Sequence, residues 1–347
     1  MELRSRLVRW SLARPHVLLV APVAEQRWHV EAALARRGWP VVAVPADADV
    51  VLTVGTYGPD LDEAVDRLWA QVPRPRHRAH VDGSGGIEQV LDESVSALGA
   101  PGAWTVDPQQ DEPVAAHEMG HDSGGHHDMG DVAGLPMAGT AADRDGLELD
   151  ALTVHLGPVL PGWPSGLVIA ATLQGDVLTD VRPSVLGRSS TEPVPRDGLP
   201  QTMHALEALQ HLLVVAGWTT AARDAALLRS DLWRAGGAPP DLARKARRLV
   251  RKVTGSRTLR WALRDLPGVL SRMHGWCDAV TGGLDDTQDP DGTQGPDDTG
   301  PTGRLPELVP ITRLTTELDG LDLGSARLVV ASLRLDLAGS RSGAGLP

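Results

Sequence analysis

Residues 117–130, which read HEMGHDSGGHHDMG, gather side chains that could hold a metal ion. The candidate ligands are imidazoles and thioethers, and they belong to His117, Met119, His121, His126, His127 and Met129. This donor set suits Cu(I) first, with nickel or zinc next. The spacing fits no zinc-finger pattern, and histidine-rich linkers also occur as flexible spacers without a specific ligand. The segment is therefore either a copper, nickel or zinc site or a spacer whose metal affinity is incidental.

Composition limits the cofactors and partners open to this chain. Its 347 residues suit two domains of ordinary size, each able to bury a core. The formal net charge of −12 argues against nucleic-acid partners, because phosphate contacts need a positive surface. The single cysteine, Cys277, excludes internal disulfides and any iron–sulfur cluster held by this chain's own thiolates.

Hydropathy predicts where the chain resides. Its longest apolar run, HVLLVAPVA, has the length of a strand and not of a membrane span. The basic start MELRSRLVRW lacks the apolar run and cleavage site of a signal peptide. The sequence therefore predicts a soluble, cytoplasmic protein.

Residues 1–100 alternate between strand and helix patterns. HVLLVAP, WPVVAVP and ADVVLTVGT are apolar runs typical of buried parallel strands. EQRWHVEAALARRG predicts a helix that ends at Gly38, and DLDEAVDRLWAQVP predicts another with Leu61, Val65, Leu68 and Val72 inward. We expect an α/β domain with a doubly wound sheet.

Residues 101–145 lose this periodicity and predict a flexible His/Met/Gly-rich linker. A second, α+β domain over 146–347 would begin with a small antiparallel hairpin that turns at Gly175. A helical bundle would follow, with one stripe at Leu206, Leu209, Leu212 and Leu213 and another at Leu242, Ala246, Leu249, Val250 and Val253. We expect a disordered acidic loop at 281–303 and a closing strand in ARLVVASLRLDLA.

One stretch of the first domain, PADADVVLTVGTYGPDLDEAVDRLWAQVPRPR, resembles the small cluster-bearing subunit of respiratory complex I and of nickel–iron hydrogenases. In that family an Ala-Asp-Val strand leads to Gly-Thr, a helix with Arg-Leu, and a proline turn. The residues that match this order are Ala48, Asp49, Val50, Gly55, Thr56, Arg67, Leu68, Pro73 and Pro75.

A second stretch, VHLGPVLPGWPSGLVIAATLQGDVL, resembles the opening hairpin of the quinone-side large subunit of complex I. The likeness is carried by Gly157, Pro158, Pro161, Gly166, Gly175 and Asp176. The helical segment from His204 to Leu232 is similar to the part of that subunit that follows the hairpin. The resemblance implies a fusion of two subunits that pack face to face in the family.

The chain departs from both subunits at the cofactor ligands. The regions that carry cluster cysteines in the small subunit read VAPVAEQ and HRAHVDGSGG here, and the hydrogenase cysteine pairs are absent as well. The two histidine positions of the large-subunit hairpin are Leu160 and Pro164, while His155 lies off register. Neither leucine nor proline can donate a proton or a hydrogen bond to a quinone.

Three functions follow from this pattern. The first is a redox-inactive accessory or assembly subunit of a complex I-like or nickel–iron hydrogenase-like membrane oxidoreductase, with no activity alone. The second is a quinone-binding subunit that uses a vestigial site at Gly157, Pro158, Pro161 and Gly166. The third is a copper- or nickel-binding protein that acts through residues 117–130. The expected partners are other subunits of a membrane oxidoreductase.

The run from Arg244 to Arg264 is strongly basic. It forms either a solvated face of amphipathic helices or a surface that docks on anionic lipid headgroups or an acidic partner. The docking interpretation implies a peripheral location on the inner face of the cell membrane.

Overall fold

The computed structural model of the protein describes residues 14–82, 85–100, 103, 139–142, 148–187, 199–286 and 305–337. Residues 14–100, called the α/β half here, contain a parallel sheet in the order β2-β1-β3-β4. Its elements are β1 (Val17–Val20), α1 (Ala24–Arg37), β2 (Val41–Val42), the 3-10 helix Pro45–Asp47, β3 (Val50–Val54), α2 (Pro59–Ala70), β4 (His77–Val81) and α3 (Ile87–Leu98). The α/β organisation predicted for this half is confirmed.

Both faces of the central strands β1 and β3 are buried, which is why these two strands read as continuous apolar runs. In β1, Val17 and Leu19 face a core built with α1 and α3. Leu18 and Val20 face the opposite core, to which α2 contributes. Helix α1 ends at the predicted Gly38, whose φ of +68° is a left-handed conformation that glycine adopts without strain.

The helical half, residues 139–337, opens with an antiparallel sheet in the order β5-β6-β7-β8. Its strands are β5 (Gly139–Ala142), β6 (Glu148–Leu156), β7 (Leu167–Gln174) and β8 (Val177–Val185). The predicted hairpin is confirmed as β7 and β8, with Gly175 at the turn at φ +61°. The sheet is larger than predicted, because β5, which the prediction placed in the linker, pairs with β6.

Helices make up most of the remainder of the helical half. They are α4 (Leu199–Val215), α5 (Thr219–Ala235), α6 (Pro240–Thr254), α7 (Arg257–Ala262), α8 (Pro267–Asp286), the 3-10 helix Ile311–Arg313, α9 (Leu314–Leu318) and α10 (Leu323–Ser332), with the short parallel strands β9 (Val309–Pro310) and β10 (Leu335–Asp336). The predicted stripe on α4 is fully buried. The stripe on α6 is buried apart from Val250, which is partly exposed.

Two sequence predictions in this half are wrong. The closing strand expected in ARLVVASLRLDLA is mainly helix α10, and strand geometry is confined to β10. The side chain of Asp322 caps this helix by accepting a hydrogen bond from the Ser325 backbone N–H at 2.9 Å, and Ala326, Val329 and Val330 bury one helical face. The acidic loop predicted for 281–303 is contradicted at its start, because α8 continues to Asp286 and buries Leu284, while residues 287–303 lie outside the described residues.

The two halves share their cores. Trp28 of α1 is 1% exposed and packs in the core of the helical half. In return, Val168 of β7 and Leu186 pack in the second core of the α/β half. Among the described helices, none combines the length and the apolar character needed to cross a membrane. The shared cores place the loop between β6 and β7 at the junction of the halves.

Candidate functional site between the two halves

The loop that joins β6 to β7, residues 157–166, contains the predicted quinone-side residues. It is closed by backbone hydrogen bonds, from the Gly166 N–H to the Pro158 carbonyl at 2.9 Å and from the Trp163 N–H to the Leu160 carbonyl at 3.1 Å. A further bond runs from the Leu186 N–H to the Gly166 carbonyl at 2.8 Å and ties the loop to the end of β8. The loop therefore has a defined shape where the two halves meet.

Glycine is required at the two ends of this loop. Gly157 has a φ of +109°, and a Cβ atom there would lie 2.0 Å from the Leu167 carbonyl oxygen. Gly166 has a φ of +91°, and a Cβ atom would lie 2.6 Å from the Leu186 carbonyl oxygen. The resemblance at these two glycines thus coincides with a backbone constraint, and they shape the loop without themselves presenting a side chain.

An open cleft of about 680 Å³ lies between the α/β half and this loop. Of the four predicted cofactor-binding residues, Pro161 lines the cleft, whereas Gly157, Pro158 and Gly166 are not part of its wall. Leu160 also faces it. The wall is otherwise mainly apolar and includes Leu19, Arg27, Glu31, Leu34, Val159, Trp163, Gln210, His211 and Val214. We call this space the interface cleft.

Helix α4 lies against the loop at Gly162. This glycine has a φ of +77°, and a Cβ atom would lie 2.7 Å from the His211 carbonyl oxygen and 2.6 Å from Val215 Cγ2. The absence of a side chain at position 162 therefore lets α4 approach the loop backbone closely. This approach sets His211, which lines the interface cleft, beside the loop.

A cluster of charged side chains joins α1 to α4 where the two halves meet. The Arg27 guanidinium donates to Oε1 of Glu207, and the Trp28 indole Nε1 donates to the same oxygen at 3.2 Å. Glu207 is 9% exposed and Arg27 13%, so this ion pair is largely removed from water. The Trp28 ring also meets the His204 ring edge-on, with centroids 4.6 Å apart.

A second ion pair links the halves beside the first. Arg229 of α5, 1% exposed, donates to Oε2 of Glu31 on α1. The two arginines and two carboxylates balance in formal charge, which is the condition under which buried charges are tolerated. We call Arg27, Glu31, His204, Glu207, His211 and Arg229 the polar cluster.

The two histidines of the polar cluster are held neutral. Burial lowers the pKa of His204 from 6.5 to about 4, and the positive charges of Arg334, Arg27 and Arg229 act in the same direction. Burial also lowers the pKa of His211 well below 6.5, again with help from Arg27 and Arg229. Neutral imidazoles can donate one hydrogen bond and accept another, so they suit an uncharged polar ligand.

A smaller cavity of about 200 Å³ is lined by Arg27, His204, Glu207 and His211. Within the described part of the chain, two buried polar atoms of residues that line it make no hydrogen bond, namely Arg27 Nε and His204 Nε2. Such atoms are normally satisfied by water or by a ligand. The arrangement can therefore hold a molecule that offers both acceptor and donor groups.

The predicted metal ligands His117, Met119, His121, His126, His127 and Met129 lie outside the described residues. Within the described ranges, no group of three or more histidine, cysteine, aspartate or glutamate side chains could hold a metal ion. Cys277 is fully buried in α8, and burial raises the pKa of its thiol to about 12. This thiol therefore behaves as a small apolar core group and not as a nucleophile or a metal ligand.

Sequence reasoning missed the polar cluster. On α4, Glu207 and His211 lie between the apolar positions Leu206, Leu209 and Leu212. Polar residues inside a helical apolar stripe indicate buried ion pairs or ligand contacts, but this pattern does not identify the residues they pair with. The partners on α1 are about 180 residues away, since Arg27 and Glu207 are 180 positions apart.

Comparison of the chain with family models, with curated proteins and with solved structures gives no match.

Proposed function

We propose that this protein is a redox-inactive accessory or assembly subunit of a complex I-like or nickel–iron hydrogenase-like membrane oxidoreductase. The observation that carries the proposal is the junction between the halves. The α/β half carries the small-subunit likeness, the 157–166 loop carries the large-subunit likeness, and the helical half that contains this loop packs against the α/β half through Trp28, Val168 and Leu186. That is the mutual arrangement expected of a fusion of the two subunits.

The ligand residues support the redox-inactive part of the proposal. Neighbouring parallel strands β1, β3 and β4 bring their carboxyl ends to one edge of the sheet. The segments that leave this edge carry Ala21, Pro22 and Val23 after β1 and Asp82 after β4. No thiolate is present there, and Cys277 belongs to the core of the helical half. A scaffold of this kind keeps contact surfaces without electron-transfer chemistry.

The test is purification of the tagged protein, expressed from its own gene, in mild detergent, followed by mass spectrometry, iron analysis and a quinone reductase assay. We expect identified subunits of a quinone- or hydrogen-linked membrane oxidoreductase in stoichiometric amounts. We also expect the iron content to stay at background, on the order of 0.1 atom per chain or less, because this chain has no cluster ligands. Stoichiometric iron–sulfur cluster, quinone reduction by the isolated chain, or recovery of the chain without such subunits would overturn the proposal.

The interface cleft favours a second candidate function, the binding of a quinone without its reduction. Its mostly apolar wall suits an isoprenoid-bearing ring, and the neutral His211 and Gln210 offer hydrogen-bonding groups to a carbonyl. A photoreactive quinone analogue should label residues 157–166 and be displaced by excess unmodified quinone. Leu160→Trp, which fills the cleft beside the loop, should abolish labelling.

The matched control for this experiment is Leu152→Trp. Leu152 is 54% exposed on β6 and does not line the interface cleft. Labelling that resists competition, or that falls equally in the two variants, would exclude a specific quinone site in the cleft.

A further inference from the structure

Helices α6 and α7 form the most strongly basic surface of the described chain. Between Leu242 and Arg264 the sequence contains nine arginines and lysines and no acidic residue. The whole chain carries −12, so the charge outside this segment is more negative than the total. Such a separation of charge orients a protein at an anionic surface, because the surface attracts the basic side and repels the negatively charged remainder.

The basic side chains of α6 project to solvent because the other side of the helix is fixed in the core. Leu242, Ala246, Leu249 and Val253 bury one face of α6. Arg244, Arg248 and Arg251 lie at i, i+4 and i+7 and form an exposed stripe on another face. The solvated helix face predicted from the sequence is therefore present, and its orientation is set by apolar packing and not by contacts of the arginines.

The stripe continues past the end of α6. Arg257, Arg260 and Arg264 are exposed at i, i+3 and i+7 in and just after α7. Arg264 forms an ion pair with its neighbour Asp265 at 3.2 Å. In the part of the chain that the structure describes, no acidic side chain lies within ion-pairing distance of the other stripe residues, which are Arg244, Arg248, Arg251, Arg257 and Arg260. Their charges are thus available to an external partner.

Trp261 lies among these arginines and is 65% exposed. Arg264 stacks on its ring, with the guanidinium carbon 5.0 Å from the ring centroid. Exposed tryptophan is unusual on a purely solvated surface, whereas the indole ring partitions to the interface between lipid headgroups and water. An acidic protein would be matched by the charges alone, but the indole beside them matches a lipid interface.

We propose that this basic face, formed by Arg244, Arg248, Arg251, Arg257, Arg260, Trp261 and Arg264, docks the protein on the surface of an anionic lipid bilayer. The arginines contact phosphate headgroups, and the Trp261 ring enters the headgroup region. None of these seven residues lines the interface cleft or belongs to the polar cluster. The proposal does not rest on the oxidoreductase assignment, since it concerns the purified chain alone.

The test is flotation of the full chain with vesicles of phosphatidylcholine containing 30% phosphatidylglycerol, compared with pure phosphatidylcholine, at 50 mM and 500 mM salt. We expect binding to the anionic vesicles at low salt and little binding to neutral vesicles or at high salt. Each basic contact strengthens such binding about five-fold. The triple variant Arg244→Gln, Arg248→Gln, Arg251→Gln should therefore bind about 100-fold more weakly.

The control is Arg36→Gln, Arg67→Gln, Arg313→Gln, which makes the same change in net charge at exposed arginines elsewhere and should bind like the wild type. Trp261→Ser should weaken binding to anionic vesicles while the salt dependence remains. Circular dichroism of each variant checks that the fold is kept.

Absence of binding to anionic vesicles at low salt would overturn the proposal, as would equal loss in the two triple variants. Tighter binding to polyglutamate than to the vesicles, with no effect of Trp261→Ser, would instead assign the face to an acidic protein. None of these outcomes bears on co-purification with oxidoreductase subunits, so the two proposals fail separately.

Discussion

The Trp28 indole N–H donates to Oε1 of Glu207 at 3.2 Å, the same oxygen that accepts from Arg27, across the boundary between the α/β half and the helical half. One carboxylate oxygen on α4 therefore receives both donors from adjacent residues of α1. Because Glu207 is 9% exposed, loss of the carboxylate cannot be offset by water. The mutual position of the halves depends on this contact.

Replacement of Glu207 by leucine is expected to lower the free energy of unfolding by about 3–5 kcal/mol, because it leaves the buried Arg27 charge without its counter-charge. Urea denaturation followed by circular dichroism measures the change. The double variant Arg27→Met, Glu207→Leu should recover most of the loss, since both charges are then gone. As a control, Glu63→Gln in the exposed Arg67–Glu63 pair should change stability by less than about 0.5 kcal/mol. A Glu207→Leu variant as stable as this control would contradict the role of the pair.

Trp28 anchors α1 in the core of the helical half. Its ring packs against His204 and against Trp233, whose centroid lies 5.9 Å away. Trp28→Ala should cost about 3–5 kcal/mol of stability, because a buried indole leaves a large cavity. The matched control is Trp261→Ala at a 65% exposed position, where we expect a loss of less than about 0.5 kcal/mol. Similar midpoints of urea unfolding for the two variants would show that α1 does not anchor the halves.

His204 makes stability depend on pH in acid. Its pKa is lowered from 6.5 to about 4 in the folded chain by burial and then by Arg334, Arg27 and Arg229. Between these values the unfolded chain binds a proton that the folded chain does not, so stability falls as pH falls from 6.5 toward 4. The slope from this group is about 1.4 kcal/mol per pH unit. His211, shifted in the same direction, adds to it.

The measurement for this prediction is the urea midpoint at a series of pH values from 7 to 4. His204→Gln should flatten the decline, while His155→Gln, at an exposed position on β6, should leave it unchanged. A decline of equal slope in the wild type and in His204→Gln would exclude His204 as its source.

The parts of the fold that were predictable from the sequence are those in which burial alone decides the pattern. The strands β1 and β3 and the α4 stripe are apolar because they face cores. Their apolar patterns in the sequence therefore predict their burial directly. The sequence predicts a strand where α10 lies because Val329 and Val330 have high strand propensity, which the Asp322 cap and packing against α4 and α8 override.

The candidate site was predictable only in part, because its groups come from distant positions. The glycines at the ends of the loop are required by its backbone conformation, and Pro161 of the same motif lines the interface cleft. Arg27, Glu31 and Arg229 each sit on an ordinary amphipathic helix, where a charged residue normally faces solvent. Their burial follows from the packing of α1 against α5, which no local pattern shows.

Cys277 should be unreactive in the folded chain and serve as a probe of unfolding. The thiol is fully buried in α8, and burial raises its pKa to about 12, so the reactive thiolate is scarce at neutral pH. Reaction with a chromogenic disulfide reagent should be at least 100-fold slower in buffer than in 6 M guanidinium chloride, on the order expected for a core thiol. Rapid stoichiometric labelling of the native chain would show that α8 opens readily.

Gly162 tests whether the close approach of α4 to the 157–166 loop shapes the interface cleft. An alanine Cβ at this position would lie 2.7 Å from the His211 carbonyl oxygen, at a φ of +77°. We expect Gly162→Ala to lose about 1–2 kcal/mol of stability from the left-handed backbone and a further 1–3 kcal/mol from the steric overlap.

Gly175→Ala separates these two effects, because Gly175 has a φ of +61° but open space where a Cβ atom would lie. The control should therefore show the backbone cost alone. Urea denaturation of both variants, with quinone-analogue labelling of the loop, makes the comparison, and equal losses of stability with unchanged labelling would show that the contact between α4 and the loop does not determine the cleft.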